Sequence, residues 1–200
     1  MRPHLSPRHA LFAVLATAVL ATGATAAFAA PAGPARVHGT LRPLVELSAQ
    51  RVLVADEVAA AKWGTDSPID DPAREREVLD DVARQAEELG ADPVATSRIF
   101  RDQIEASKVV QRGLYRRWDA DPAQAPTERP DLGRIRLEIN RINGELVRAI
   151  ADSAAVREAP SCVGRLTAGA AAVIHGRHLD ALHSVALGRS LPSVCEGVAR

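Results

Sequence analysis

Residues 100–118 read FRDQIEASKVVQRGLYRRW. Phe100, Ile104, Leu114 and Trp118 recur at helical spacing, and Ser107 and Gln111 fall on the same stripe. No alternation of period two runs through the segment, so it does not read as a strand. It is a helix that turns a polar i, i+4 pair toward its neighbours. A buried amide must be satisfied by another helix or by a ligand, and this stretch alone leaves both open.

The same kind of punctuation repeats outward in both directions. Asp92-Pro93 opens this helix, which runs to about Asp119. Asp71-Pro72 opens the helix before it, which ends at Leu89 ahead of Gly90. A first helix spans Leu41 to Trp63, followed by the turn-rich loop GTDSPID at 64–70. Downstream, ADPAQAPTERP at 120–130 is a loop, Asp131 caps a helix from Leu132 to about Val156, and Pro160-Ser161 opens a last helical stretch to about Leu187. Pro192 marks the tail. No β-branched alternation and no repeat of 20–50 residues occurs. The expectation is all-α: a single-domain bundle of about five to six helices over residues 41–200, with no regulatory domain.

Composition narrows the function. The 200 residues carry 25 basic and 25 acidic side chains. Two of the basic ones, Arg2 and Arg8, lie in the first 29 residues, leaving 23 against 25 in the rest. A basic surface for nucleic acid is excluded. Six aromatic residues are too few for a base-stacking platform. Arg2, His4, Arg8 and His9 precede an apolar stretch from Leu11 to Ala30, and Ala27-Phe28-Ala29 fits a small-x-small cleavage site. Residues 1–29 read as a cleaved export signal, with an uncleaved membrane anchor as the competing reading, 30–40 (APAGPARVHGT) as a flexible lead-in, and the rest as an exported chain with no later membrane span. In an oxidising compartment Cys162 and Cys195 read as one intramolecular disulfide; a nucleophile and an intermolecular bridge are the other readings. Two cysteines cannot make a four-cysteine zinc site.

Polar residues on apolar faces point to a pocket. Leu44, Leu47, Val54 and Val58 mark the buried side of the first helix, and Arg51 and Lys62 fall close to it. Eleven residues at about 100° each bring both cations to one face, about 16 Å apart along the axis. They either snorkel from the core edge or converge on an anion. The chain has 23 arginines and two lysines, Lys62 and Lys108, so a compact ammonium at 62 is a specific choice. Arg74 opens the second helix, where the dipole disfavours a cation and a bound anion would offset the cost. Leu132, Ile135, Ile139, Ile142 and Leu146 form the core face of the fourth helix, with Arg136 on its flank. Three arginines, a lysine, a serine and a glutamine face inward with no compensating inward acids. That describes a pocket for a small dianion.

The ordered set Arg51, Lys62, Asp71, Arg74, Glu75, Ser107 and Gln111 resembles the active-site signature of the all-helical chorismate mutases. The eleven-residue step from arginine to lysine, the D-x-x-R-E start of the next helix and serine four before glutamine all match. Arg136-x-x-Ile139-x-x-Ile142-Asn143-x-x-Leu146 resembles that family's first-helix pattern, R-x-x-I-x-x-L-D-x-x-L, displaced to follow the other motifs. This order, the leader and the late cysteines resemble the exported subclass. Further similarities are A-x-K-W at 60–63, D-Q-I at 102–104, P-D-L at 130–132, P-S-C at 160–162 and R-H-L-D at 177–180. Gln111 departs from the glutamate of exported relatives and of the fungal enzymes; glutamine is the choice of the cytoplasmic bacterial enzymes. Val78 sits where a polar side chain would have touched the ligand.

The resemblance implies a cofactor-free, metal-free conversion of chorismate to prephenate by an intramolecular Claisen rearrangement. It implies that Arg51 and Arg136 clamp the substrate carboxylates with Arg74 completing the wall. Lys62 and Gln111 donate to the ether oxygen, Ser107 supports a carboxylate, and Asp71 and Glu75 address the ring hydroxyl. It also implies a homodimer with each site completed inside one protomer, because Arg136 follows in the same chain. Three other readings stand beside it: a secreted helical binding module without turnover, a lyase acting on isochorismate, and a metal site built from His175, His178 and His183.

Overall fold

The computed structural model describes residues 40–195. The expected leader (1–29), nearly all of the lead-in and the last five residues lie outside them. Seven α-helices follow in order: α1 Arg42–Lys62, α2 Pro72–Glu88, α3 Pro93–Ala120, α4 Leu132–Asp152, α5 Ala154–Arg157, α6 Cys162–Gly176 and α7 Ala181–Arg189. Two single-turn 3-10 helices, Pro122–Gln124 and Pro192–Cys195, complete the set. No strand occurs among the described residues.

The starts of the helices are where local chemistry places them. Asp71 accepts the Arg74 N–H at 3.0 Å, Asp92 accepts Val94 and Ala95, and Asp131 accepts Gly133 and Arg134. Each such cap satisfies donors that the helix cannot pair, and contributes about 1 kcal/mol. Gly90 ends α2 at φ +69°, a conformation that costs glycine little.

Two of the expected helices are each broken once. The fourth ends at Asp152, where Ser153 turns its hydroxyl back onto Ala149 O at 2.7 Å, and α5 is a separate single turn. The last stretch breaks at residues 177–180, where His178 takes φ +51° and Asp180 caps a new helix through the His183 N–H at 2.9 Å. An Asp that competes for backbone donors restarts a helix as readily as it begins one.

The first helix is also more central than one stripe allows. Val45, Ala49, Val52, Ala55 and Ala59 are buried along with Leu44 and Val58, whereas Leu47 and Val54 are only half-buried. The cause is its position, with α3, α4, α6 and α7 all packing against it. Phe100, Ile99, Leu146 and Ile150 join Leu44 and Val45 in the main core. Trp63 meets Tyr115 and Trp118 edge-on at 4.8 and 5.2 Å, tying the end of α1 to α3.

The tail is anchored by polar contacts. Asp102 accepts Arg189 at 2.7 Å and the Ser193 N–H at 2.9 Å. Gln103 donates to Ser48 Oγ and to Ser190 O. Cys162 and Cys195 form a disulfide within the chain.

Candidate active site

The loop at 64–71 and the helices α1, α2, α3 and α4 surround a cleft of about 700 Å³ including its mouth. Arg51 and Lys62 enter it from α1. Asp71, Arg74 and Glu75 enter from the start of α2, Ser107 and Gln111 from α3, and Arg136 from α4. All eight residues of the set that resembles the mutase signature, Arg136 included, line one cavity; the two cysteines and His175, His178 and His183 do not. Apolar walls come from Val58, Ile69, Val78, Ile104, Leu132 and Ile139.

Arg51 is a buried cation, 8% exposed. Its guanidinium donates to Asn143 on α4 and lies 5.7 Å from the Phe100 ring centre. Among the described residues, its Nε has no hydrogen-bond partner. Burial pushes its pKa down to about 10, which leaves it charged at neutral pH. Burial also lowers the Lys62 ammonium; Asp71 opposes that shift and Arg136 adds to it. Lys62 Nζ donates to Pro68 O at 2.7 Å, so the loop fixes the direction of the ammonium.

Gln111 is buried, and its Nε2 donates to Ser107 Oγ at 3.1 Å and Ser107 O at 3.3 Å. Among the described residues its Oε1 has no partner, the kind of buried polar atom that calls for an explanation. The i, i+4 pair thus satisfies itself only in part. Arg136 is exposed at the mouth.

Two expectations change. Arg74 does not face the dipole of α2 unaided, because its NH1 pairs with Glu77 at 2.9 Å, three residues on. Nor is the pocket free of acids, since Asp71 and Glu75 line it. Five cations and two carboxylates line it; Arg74 and Lys108 are paired with carboxylates, so its excess positive charge rests on Arg51, Lys62 and Arg136. The fifth is Lys108, which contacts Asp70, Glu75 and Glu105.

Residues 42–112 match the family described as chorismate mutase type II. Over 188 residues the chain is 36% identical to the secreted chorismate mutase of Mycobacterium tuberculosis, covering 92% of this chain and 94% of that one. Over 155 residues it is 37% identical to the secreted chorismate mutase of Mycolicibacterium smegmatis, covering 78% and 86%. The crystal structure of chorismate mutase from Burkholderia thailandensis is similar with a TM-score of 0.74 at 38% identity, covering 78% of this chain and 98% of that one. The chain belongs to the chorismate mutase family. It is an enzyme of the isomerase class, within the secreted, all-helical branch.

The matched family segment stops at Arg112, before α4. Yet α4 supplies Arg136, Leu132 and Ile139 to the cavity. Among the described residues, no three or more His, Cys, Asp or Glu side chains are grouped to hold a metal. His183, one of three histidines considered for that role, has Nδ1 on Asp180 at 2.7 Å and Nε2 on Asp56 at 2.9 Å. No described helix is long and apolar enough to cross a membrane.

Reading the sequence missed Lys108, Ile69 and Asn143 as parts of this region. Ile69 lies in a loop, where no periodicity marks a face. Asn143 was visible only as a departure from the pattern. Lys108 carried a usable signal, the rarity of lysine in an arginine-rich chain.

Proposed function

We propose that this cavity binds chorismate and that its residues perform the mutase reaction with the roles their positions support. The reaction is a unimolecular rearrangement of a flexible dicarboxylate. The protein must hold the enolpyruvyl arm over the ring and stabilise negative charge growing on the ether oxygen as the C–O bond lengthens. No proton leaves the substrate, so no general base is needed.

Arg51 deep in the cleft and Arg136 at its mouth grip the two carboxylates, and Arg74 adds to the positive wall. A guanidinium fork matches a carboxylate. Lys62 and Gln111 donate to the ether oxygen. The Gln111 Nε2 carries two N–H donors; one meets Ser107 Oγ and the other is available to the ether oxygen. Ser107 Oγ accepts from that amide, so its single O–H is left to donate to a substrate carboxylate. Asp71 and Glu75 receive the ring hydroxyl. The apolar residues pack on the ring and exclude water, which strengthens each of these contacts.

The observation that carries the reading is the placement of Lys62 and Gln111, from two helices, in one positively charged cleft. The test is chorismate loss by absorbance on residues 30–200, wild type beside Lys62→Ala, with acid conversion of the product to phenylpyruvate. Removing one preorganised donor at a developing charge costs about 10²–10³-fold in kcat. Turnover that survives Lys62→Ala within threefold overturns the role of Lys62.

The same reading includes export through residues 1–29, a catalytic domain over 41–200 and a homodimer. The secreted relatives support export. Arg136, late in the same chain, lines the cavity together with Arg51 and Lys62, which supports a site completed within one protomer. Cleavage mapping of the mature N-terminus and light scattering test these points.

A further inference from the structure

Both lysines of the chain line one cavity. Lys62 has a role above; Lys108 has none yet. Its side chain is 9% exposed, and its Nζ lies 2.8 Å from Glu75, 2.9 Å from Glu105 and 3.2 Å from Asp70. The three carboxylates belong to three segments: Glu75 to the first turn of α2, Glu105 to α3 and Asp70 to the loop between α1 and α2. Asp70 is gripped from its other side by Arg112, at 2.7 Å from each oxygen.

The residue type follows from that geometry. An ammonium has three N–H donors spread around one atom, one for each carboxylate. A guanidinium is a planar fork suited to one or two acceptors in its plane. A chain with arginine at 23 positions and lysine at two has its second lysine at a three-way junction. With three carboxylates around it, the Lys108 charge is already matched, so it is not another anion clamp for substrate.

We propose that Lys108 is a positioning residue for the mutase reaction: it holds the Glu75 carboxylate, and with it the start of α2, at the cavity wall where the substrate's ring hydroxyl arrives. The inference rests on the assignment of the ring hydroxyl to Glu75. Burial alone would lower the Lys108 ammonium, but Glu105, Glu75 and Asp70 more than reverse it, so the junction stays charged through neutral pH.

The experiment is a double-mutant cycle on the mature enzyme with chorismate: wild type, Lys108→Gln, Glu75→Gln and the double variant, each read for KM, kcat and melting temperature. Lys108→Gln should raise KM about tenfold with kcat within threefold, because a binding contact is misplaced rather than a transition-state donor lost. In the Glu75→Gln background the same change should leave KM within twofold. A purely structural tie would couple the two residues in melting temperature and leave their effects on KM additive. Additive KM penalties, or no KM penalty from Lys108→Gln, overturn the proposal. A Glu75→Gln enzyme with wild-type KM and kcat instead removes the assignment of Glu75, a separate failure. If Lys108→Gln does not fold, Lys108→Arg keeps the charge and enters the same cycle. Its KM penalty should be about threefold, from the mismatch of the planar fork, and should likewise vanish with Glu75→Gln; a penalty that persists there overturns the proposal.

Discussion

The Arg51 guanidinium donates to the side-chain oxygen of Asn143, joining α1 to α4 behind the cleft. Both residues are buried. The partner is neutral, so it orients the cation without cancelling its charge. An aspartate there, as in the first-helix pattern this segment resembles, would pair with the guanidinium and weaken its pull on a substrate carboxylate.

Asn143→Asp should therefore raise KM for chorismate by about tenfold while the protein stays folded, since the new carboxylate has a hydrogen-bonded counter-ion. Asn143→Ala leaves a buried guanidinium N–H unpaired and should lower stability by about 1–3 kcal/mol. Urea denaturation beside steady-state kinetics separates the two effects. Equal KM values for Asn143→Asp and wild type would refute the charge argument.

Gln111 predicts the pH response. An amide donates at any pH, whereas a carboxyl donates only when protonated. Wild-type kcat/KM should be flat between pH 5 and 8. Gln111→Glu should give a profile that falls as pH rises through the pKa of the new carboxyl. Profiles of the two enzymes in one buffer series, with substrate controls, check this.

His183 predicts a different pH effect, on stability. Hydrogen bonding to Asp56 raises its pKa to about 9; burial opposes this and Asp180 adds to it. The folded value lies above the ordinary 6.5, so the folded state holds the proton more tightly. The contribution is complete below about pH 6.5 and is lost as pH rises through about 9. The shift corresponds to at most about 3 kcal/mol, and the half-exposed Asp56 and Asp180 bring it nearer 1 kcal/mol. Unfolding free energies at pH 6 and 9.5, for wild type and His183→Gln, should differ in slope by this amount. Parallel curves would exclude the linkage.

The disulfide should matter for stability and not for chemistry. It closes a separation of 33 residues, which by chain entropy contributes roughly 3–4 kcal/mol. Neither cysteine lines the cleft. Replacing both with serine should lower the melting temperature by roughly 10 °C and leave kcat/KM at 25 °C within twofold. Calorimetry and a 25 °C assay give the two readings, and a large loss of rate at full folding would contradict the separation.

How far the sequence reaches differs from residue to residue. Asp71, Asp92 and Asp131 announce their helices because a cap acts on donors two or three residues away. Asp180 does the same, yet in sequence its helix runs together with α6, because no proline stands beside it and the apolar pattern continues. Arg51, Lys62, Ser107 and Gln111 were legible as a site because each interrupts an apolar stripe at a fixed helical spacing. Their meeting in one cleft with Arg136 is set by how α1, α3 and α4 pack.

By itself the sequence determined the helical class, the starts of the main helices and the residue types that make the cleft cationic. These depend on neighbours within a few residues, where covalent geometry sets the distances. The tertiary structure alone decided that Asn143 orients Arg51, that Lys108 gathers Glu75, Glu105 and Asp70, that His183 sits between Asp56 and Asp180, and that α1 is buried on most of its circumference. Most of these are contacts between segments far apart in the chain. They are set by how whole helices pack, and no spacing in the sequence encodes the rotation and depth at which one helix meets another.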